Sequence, residues 1–199
     1  MLQPKFHITS RATSRVVFSL RNTMALIALA LTVASCTHNT GTSGGGASGN
    51  SLTSITEGFD PQVQRDIEAL RSATNPYHDL KAAQAAGYPT TTPSCVADST
   101  MGGMGRHYMN RPVYDNNTVD IAHPEMLIYA SVPKGTPERL VGVEYAIPFR
   151  LLPSTEKAPR LFGQEFKRHE EFKYWYLHVW AWQKNKAGLF SDWNPAIKC

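Results

Sequence analysis

Residues 174–183 read YWYLHVWAWQ, and the way their side chains divide between two faces decides how the chain is built. In an extended strand successive side chains point to opposite sides. Trp175, Leu177, Val179 and Ala181 then share one face, and Tyr174, Tyr176, His178, Trp180 and Trp182 the other. Neither face suits open water. The strand therefore belongs inside a sheet covered on both sides, with helices packed against the first face. The second face is either another core layer or the wall of an aromatic pocket holding one titratable imidazole.

Working outward, three further stretches alternate as strands do. Residues 105–110, GRHYMN, set His107 and Met109 against Arg106, Tyr108 and Asn110. Residues 125–131, EMLIYAS, set Glu125, Leu127 and Tyr129 against Met126, Ile128 and Ala130. Residues 140–147, LVGVEYAI, set Val141, Val143, Tyr145 and Ile147 against Leu140, Gly142, Glu144 and Ala146. The last two are joined by a turn holding Pro133 and Pro137, which reads as an antiparallel hairpin. Glu144 is the unusual residue, a carboxylate within an apolar strand, which is either solvated or buried with a partner. Its same-face neighbours Gly142 and Ala146 are small and are expected to leave room beside it.

Two helices precede the strands. Asp60-Pro61 and Asn75-Pro76 each pair a capping residue with proline at the first helical position. Val63, Ile67 and Leu70 follow at helical spacing, and the second helix ends at Gly87. Residues 88–104 read as loop. Their GGMG lacks the Lys-Ser/Thr of a phosphate-binding loop and opens no helical pattern. Residues 148–173 read as irregular, with KRHEEFK a solvated run in which His169 has no role. The expected fold is α+β, an antiparallel sheet of four to five strands with two N-terminal helices packed on one face.

The chain begins as an export signal does. Lys5, Arg11, Arg15 and Arg21 precede an uncharged apolar run at residues 24–33, and Ala34, Ser35 and Cys36 follow. Ten apolar residues fall well short of the roughly 20 that span a bilayer as a helix. VASC resembles the lipobox of bacterial lipoproteins, in which cleavage leaves the cysteine as the acylated first residue. The expected organisation is a signal at 1–35, lipidated Cys36 with a flexible Gly/Ser/Thr tether to residue 56, and one globular domain over 57–199. The membrane is then a partner through the lipid at Cys36. The place is the cell envelope, on the periplasmic side of the outer membrane in a Gram-negative host. Of 20 Lys and Arg and 16 Asp and Glu, the signal holds four of the former and none of the latter, leaving 16 against 16. The mature chain thus lacks the basic excess that nucleic-acid binding requires. An exported chain is expected to oxidise its other two cysteines, Cys95 and Cys199.

Taken in order, GGMGRHYMN, LVGVEY, LFGQ, LHVWAW and DWNP resemble an uncharacterised family of bacterial exported proteins and lipoproteins, from about Tyr77 to Cys199. The resemblance implies export and implies no activity. Residues 185–188, NKAG, depart from the Asn-Pro turn expected after the aromatic strand.

Four residues on four strands remain as candidate chemistry: His107, Glu125, Glu144 and His178. Two imidazoles and one or two carboxylates suit zinc or iron, and the same groups suit acid-base work. No HExxH, HxH or CxxC places them together, so convergence has to come from the fold. No GxSxG elbow is present either. The preferred reading is an envelope lipoprotein binding a small ligand or a divalent metal in a partly open pocket of His107, Glu144, His178, Tyr176 and Trp180. Two others stand beside it. One is an envelope enzyme using the same groups for acid-base catalysis or metal-assisted hydrolysis, and the other is a purely structural lipoprotein in which they are hydrogen-bonded core residues.

Overall fold

The computed structural model describes residues 50–89, 92 and 94–199. The expected signal, Cys36 and residues 37–49 of the tether lie outside the described residues. Residues 50–56, assigned to the tether by composition, pack on the domain instead. Leu52–Ile55 form a helical turn, α1, capped by Ser51, and Ile55 is buried. The Asn50 side chain donates to Gln183 and accepts the Lys184 N–H. Two apolar residues one turn apart suffice to dock this end of a polar stretch.

Helix α2, Pro61–Thr74, starts where expected, with the Asp60 carboxylate accepting the Gln62 N–H. Ile67 and Leu70 are fully buried. The second expected helix is divided. A 3-10 turn spans Asn75–His78, and Asp79 then caps α3, Leu80–Ala85. Asp79 competes for the backbone it would otherwise extend, because its side chain accepts the Lys81 N–H.

The sheet is antiparallel, six-stranded and curled, in an α+β fold. Its strands are β1 (Val96–Asp98), β2 (Gly102–Met109), β3 (Met126–Ala130), β4 (Arg139–Pro148), β7 (Lys167–His169) and β8 (Tyr174–Val179). Their spatial order is β1-β2-β3-β4-β8-β7. A separate hairpin joins β5 (Arg160–Leu161) to β6 (Gln164–Glu165), and one short helix, α4 (Arg111–Tyr114), follows β2. The sheet exceeds four to five strands because each edge carries a three-residue strand, too short to show alternation. GGMG is not loop, for it forms the first half of β2. Residues 167–169 of the charged run form an edge strand, where Lys and Arg are expected because they discourage further pairing.

Strands β3 and β4 lie centrally and are buried on both faces. On one face Leu127, Tyr129, Val143, Tyr145, Leu177 and Val179 join Ile67, Leu70 and Ala83 of the helices in a single cluster. The other face carries a smaller cluster of Met126, Ala146 and Tyr114, with Met109 and Tyr174 against it. Buried tyrosine hydroxyls find backbone acceptors: Tyr145 donates to the Ile121 carbonyl at 2.7 Å, Tyr88 to Pro124 at 2.8 Å and Tyr129 to Tyr77. This lets the core use aromatics without leaving polar atoms unpaired.

The C-terminal tail returns across β2. Asn194 exchanges backbone hydrogen bonds with Gly103, and Ile197 lies where a Gly103 side chain would stand. Cys95 and Cys199 form a disulfide, as expected, across 104 residues of sequence.

Candidate metal centre

Cross-strand pairing determines which side chains can meet. Glu144 of β4 lies opposite Met126 of β3 on one side and His178 of β8 on the other, and His107 of β2 lies opposite Ile128. Opposed residues point to the same face. His107, Glu144 and His178 therefore emerge on the face away from the helices, and the curl of the sheet lets His107 reach across β3.

Their donor atoms converge. His107 Nε2 stands 3.2 Å from Glu144 Oε2, His178 Nε2 stands 3.4 Å from the same oxygen, and the two imidazole nitrogens are 3.4 Å apart. Among the described residues this is the group of three or more His, Cys, Asp or Glu placed to share a metal ion. A tetrahedral ion with bonds of about 2.05 Å separates its ligand atoms by about 3.3 Å, and this triangle matches one face of that tetrahedron. An octahedral ion at bonds of about 2.1 Å would set adjacent ligands nearer 3.0 Å. The donor set suits zinc or iron, and the three donor atoms lie close enough together to share one ion.

All three side chains are buried, with 8% exposure for His107 and 2% each for Glu144 and His178. The expected partly open pocket is thus a closed site. Nor does Gly142 leave a gap beside Glu144. A Cβ there would stand 2.7 Å from the Val179 carbonyl, so the backbone of the aromatic stretch fills that space.

The charges are sharply arranged. Burial acts to raise the Glu144 pKa, yet His178 and His107 outweigh it and hold the carboxyl well below its usual range. The Tyr174 phenol is pushed up by burial and then by the Glu144 charge beside it. His178 Nδ1 is buried without a hydrogen-bond partner, and its nearest carboxylate is Asp192 Oδ1 at 3.9 Å.

Glu125 does not join the three. It precedes Met126, so alternation turns it toward the opposite face, where Oε2 accepts the Ala146 N–H at 3.1 Å and Oε1 has no partner. Burial raises its pKa to about 8. A carboxyl kept protonated near neutrality resolves this arrangement, since a neutral acid costs far less to bury than a carboxylate.

The aromatic residues divide. Tyr176 borders the centre, its ring 5.6 Å from that of His178 and its hydroxyl donating to Asp192 Oδ2 at 3.3 Å. Trp180, just past the strand end, is fully buried and donates to the Ser191 carbonyl. Trp182 lies away from the centre altogether. It donates to Thr74 of α2, and the Arg71 guanidinium sits 4.2 Å over its ring. The alternation that puts it with His178 ends at Val179, where the strand ends. Asp192, which stands in the quoted DWNP segment, is not among the expected site residues, and Tyr174, on the His178 face by alternation, stands against Glu144.

Compared with protein-family models, curated proteins and solved structures, the chain finds no match.

Proposed function

We propose that this chain is an envelope lipoprotein that binds a single zinc ion through His107, Glu144 and His178. The observation carrying the reading is the triangle of donor atoms with edges of 3.2, 3.4 and 3.4 Å. Three separate strands contribute it, and no local motif requires it. Two imidazole nitrogens facing one carboxylate oxygen need either two N–H protons or one cation. With neutral rings the proton arrangement leaves His178 Nδ1 a buried acceptor without a donor, whereas an imidazolium or a metal cation makes it an N–H directed toward Asp192. Two imidazoles and one carboxylate give a zinc ion a net charge of about +1 with room for one exchangeable ligand.

Metal analysis of the full chain, purified and dialysed against zinc, tests this. About one zinc per chain is expected, with binding lost on His107→Ala and on His178→Ala. Cobalt substitution should give the intense visible bands of a tetrahedral site. A folded chain that retains no zinc above a His178→Ala control would overturn the reading in favour of a hydrogen-bonded core triad.

A further inference from the structure

We infer that Asp192, carried by the C-terminal tail, is a positioning residue for the centre, holding His178 so that its Nε2 lone pair faces the ion. The inference rests on the zinc reading above. Its starting point is the buried His178 Nδ1, which has no hydrogen-bond partner although the ring is 2% exposed. Asp192 Oδ1 is the carboxylate atom facing it, 3.9 Å away. A modest rotation of the Asp192 side chain closes that separation to a hydrogen bond. A metal-bound imidazole that donates its other N–H to a carboxylate has its tautomer and ring orientation settled and its basicity raised.

The tail is built to keep Asp192 in place. On one side of it the Ser191 carbonyl accepts the Trp180 indole N–H at 2.6 Å. On the other, the Trp193 carbonyl accepts from the Asn185 side chain at 2.9 Å, and Asn194 is bridged to Gly103. The carboxylate itself is held by Lys167 Nζ at 2.6 Å on Oδ1 and by the Tyr176 hydroxyl on Oδ2. Lys167 and Tyr176 lie opposite each other on β7 and β8. A zinc ion with two neutral imidazoles and one carboxylate keeps one uncompensated positive charge in a buried place. Asp192 is the nearby anion that offsets it, drawn from Lys167 toward the His178 N–H as the ion binds.

Zinc affinity of the full chain, measured by competition with a chromophoric chelator, gives the test. Asp192→Asn is expected to weaken zinc about 10- to 100-fold. Lys167→Met, which removes the same ion pair but leaves the carboxylate, is expected to bind no more weakly than wild type. Long-range proton–nitrogen correlation on the zinc-loaded wild-type chain should show the His178 proton on Nδ1, a readout that needs no variant to fold. Equal loss in both variants would make the ion pair merely structural and overturn the inference, as would an Asp192→Asn affinity within twofold of wild type, whereas a His178 proton on Nε2 would overturn the zinc reading on which it rests. Failure of the wild-type chain to bind zinc would likewise overturn the zinc reading itself.

Discussion

Glu144 and Glu125 lie one strand apart, both buried, and their surroundings drive them in opposite directions. Glu144 faces two imidazoles and ionises readily, while Glu125 meets one backbone N–H and desolvation. The consequences for stability have opposite signs. The Glu125 pKa rises from 4.5 to about 8 on folding, so the folded state binds the extra proton between those values. Stability from this group is complete below about pH 4.5 and is lost as pH climbs through 8. Glu125→Gln keeps the shape and removes the titration. It should leave Tm unchanged at pH 4 and raise it by on the order of 10 °C at pH 8, as checked by thermal denaturation across that range. The depressed Glu144 pKa stabilises the fold above pH 4.5, and that contribution is lost as pH falls. Glu144→Gln should therefore blunt acid unfolding of the metal-free chain and abolish zinc binding, measured by denaturation and metal analysis.

At the scale of elements, β4 organises the centre because it pairs with β3 and β8 at once and presents Glu144 between them. Gly142, two residues earlier on the same face, lets the chain leaving β8 cross close over the strand. A methyl group there would lie 2.7 Å from the Val179 carbonyl and 3.4 Å from Trp180 Cα, both backbone atoms that cannot swing aside. Gly142→Ala is expected to cost about 1–3 kcal/mol, read as a lowered denaturant midpoint. It should also weaken zinc, since the displaced segment begins one residue after His178. Gly103 plays the same part on β2, where Ile197 of the tail occupies the space of a side chain. This explains why a glycine-rich run that cradles no phosphate is built into a strand.

Across the whole molecule, the Cys95–Cys199 disulfide joins the edge of the sheet to the chain end, and the segment it secures carries Asp192 to His178. In the chain-entropy view, a bridge closing about 100 residues contributes on the order of 4–5 kcal/mol. The Cys95→Ala/Cys199→Ala chain should therefore melt lower. It should also bind zinc more weakly than the oxidised chain at temperatures where both are folded, because the tail is less restrained. Zinc itself should stabilise the fold: at 100 times its dissociation constant a ligand adds about 2.7 kcal/mol, or roughly 5–10 °C in Tm for a domain of this size. Chelation followed by calorimetry measures that shift.

Local pattern alone determined the central strands and helix α2, because alternation in 125–131 and 140–147 and the Asp60-Pro61 cap are properties of neighbouring residues. It also determined that His107, Glu125, Glu144 and His178 merited attention, since each is a titratable residue on a candidate strand. Alternation reached its limit at Val179. Beyond it the chain leaves the sheet, and Trp182 turns to α2 while Trp180 seals the core. The short edge strands escaped notice because three residues show no period. Only the tertiary structure decided that three donor atoms from β2, β4 and β8 meet within 3.4 Å, that Glu125 faces the other way, and that Asp192 arrives from the tail. These are contacts across strand register and chain crossing. They depend on how far β2 curls over β3 and on what Gly142 and Gly103 allow to pass, distances that no spacing along the chain encodes.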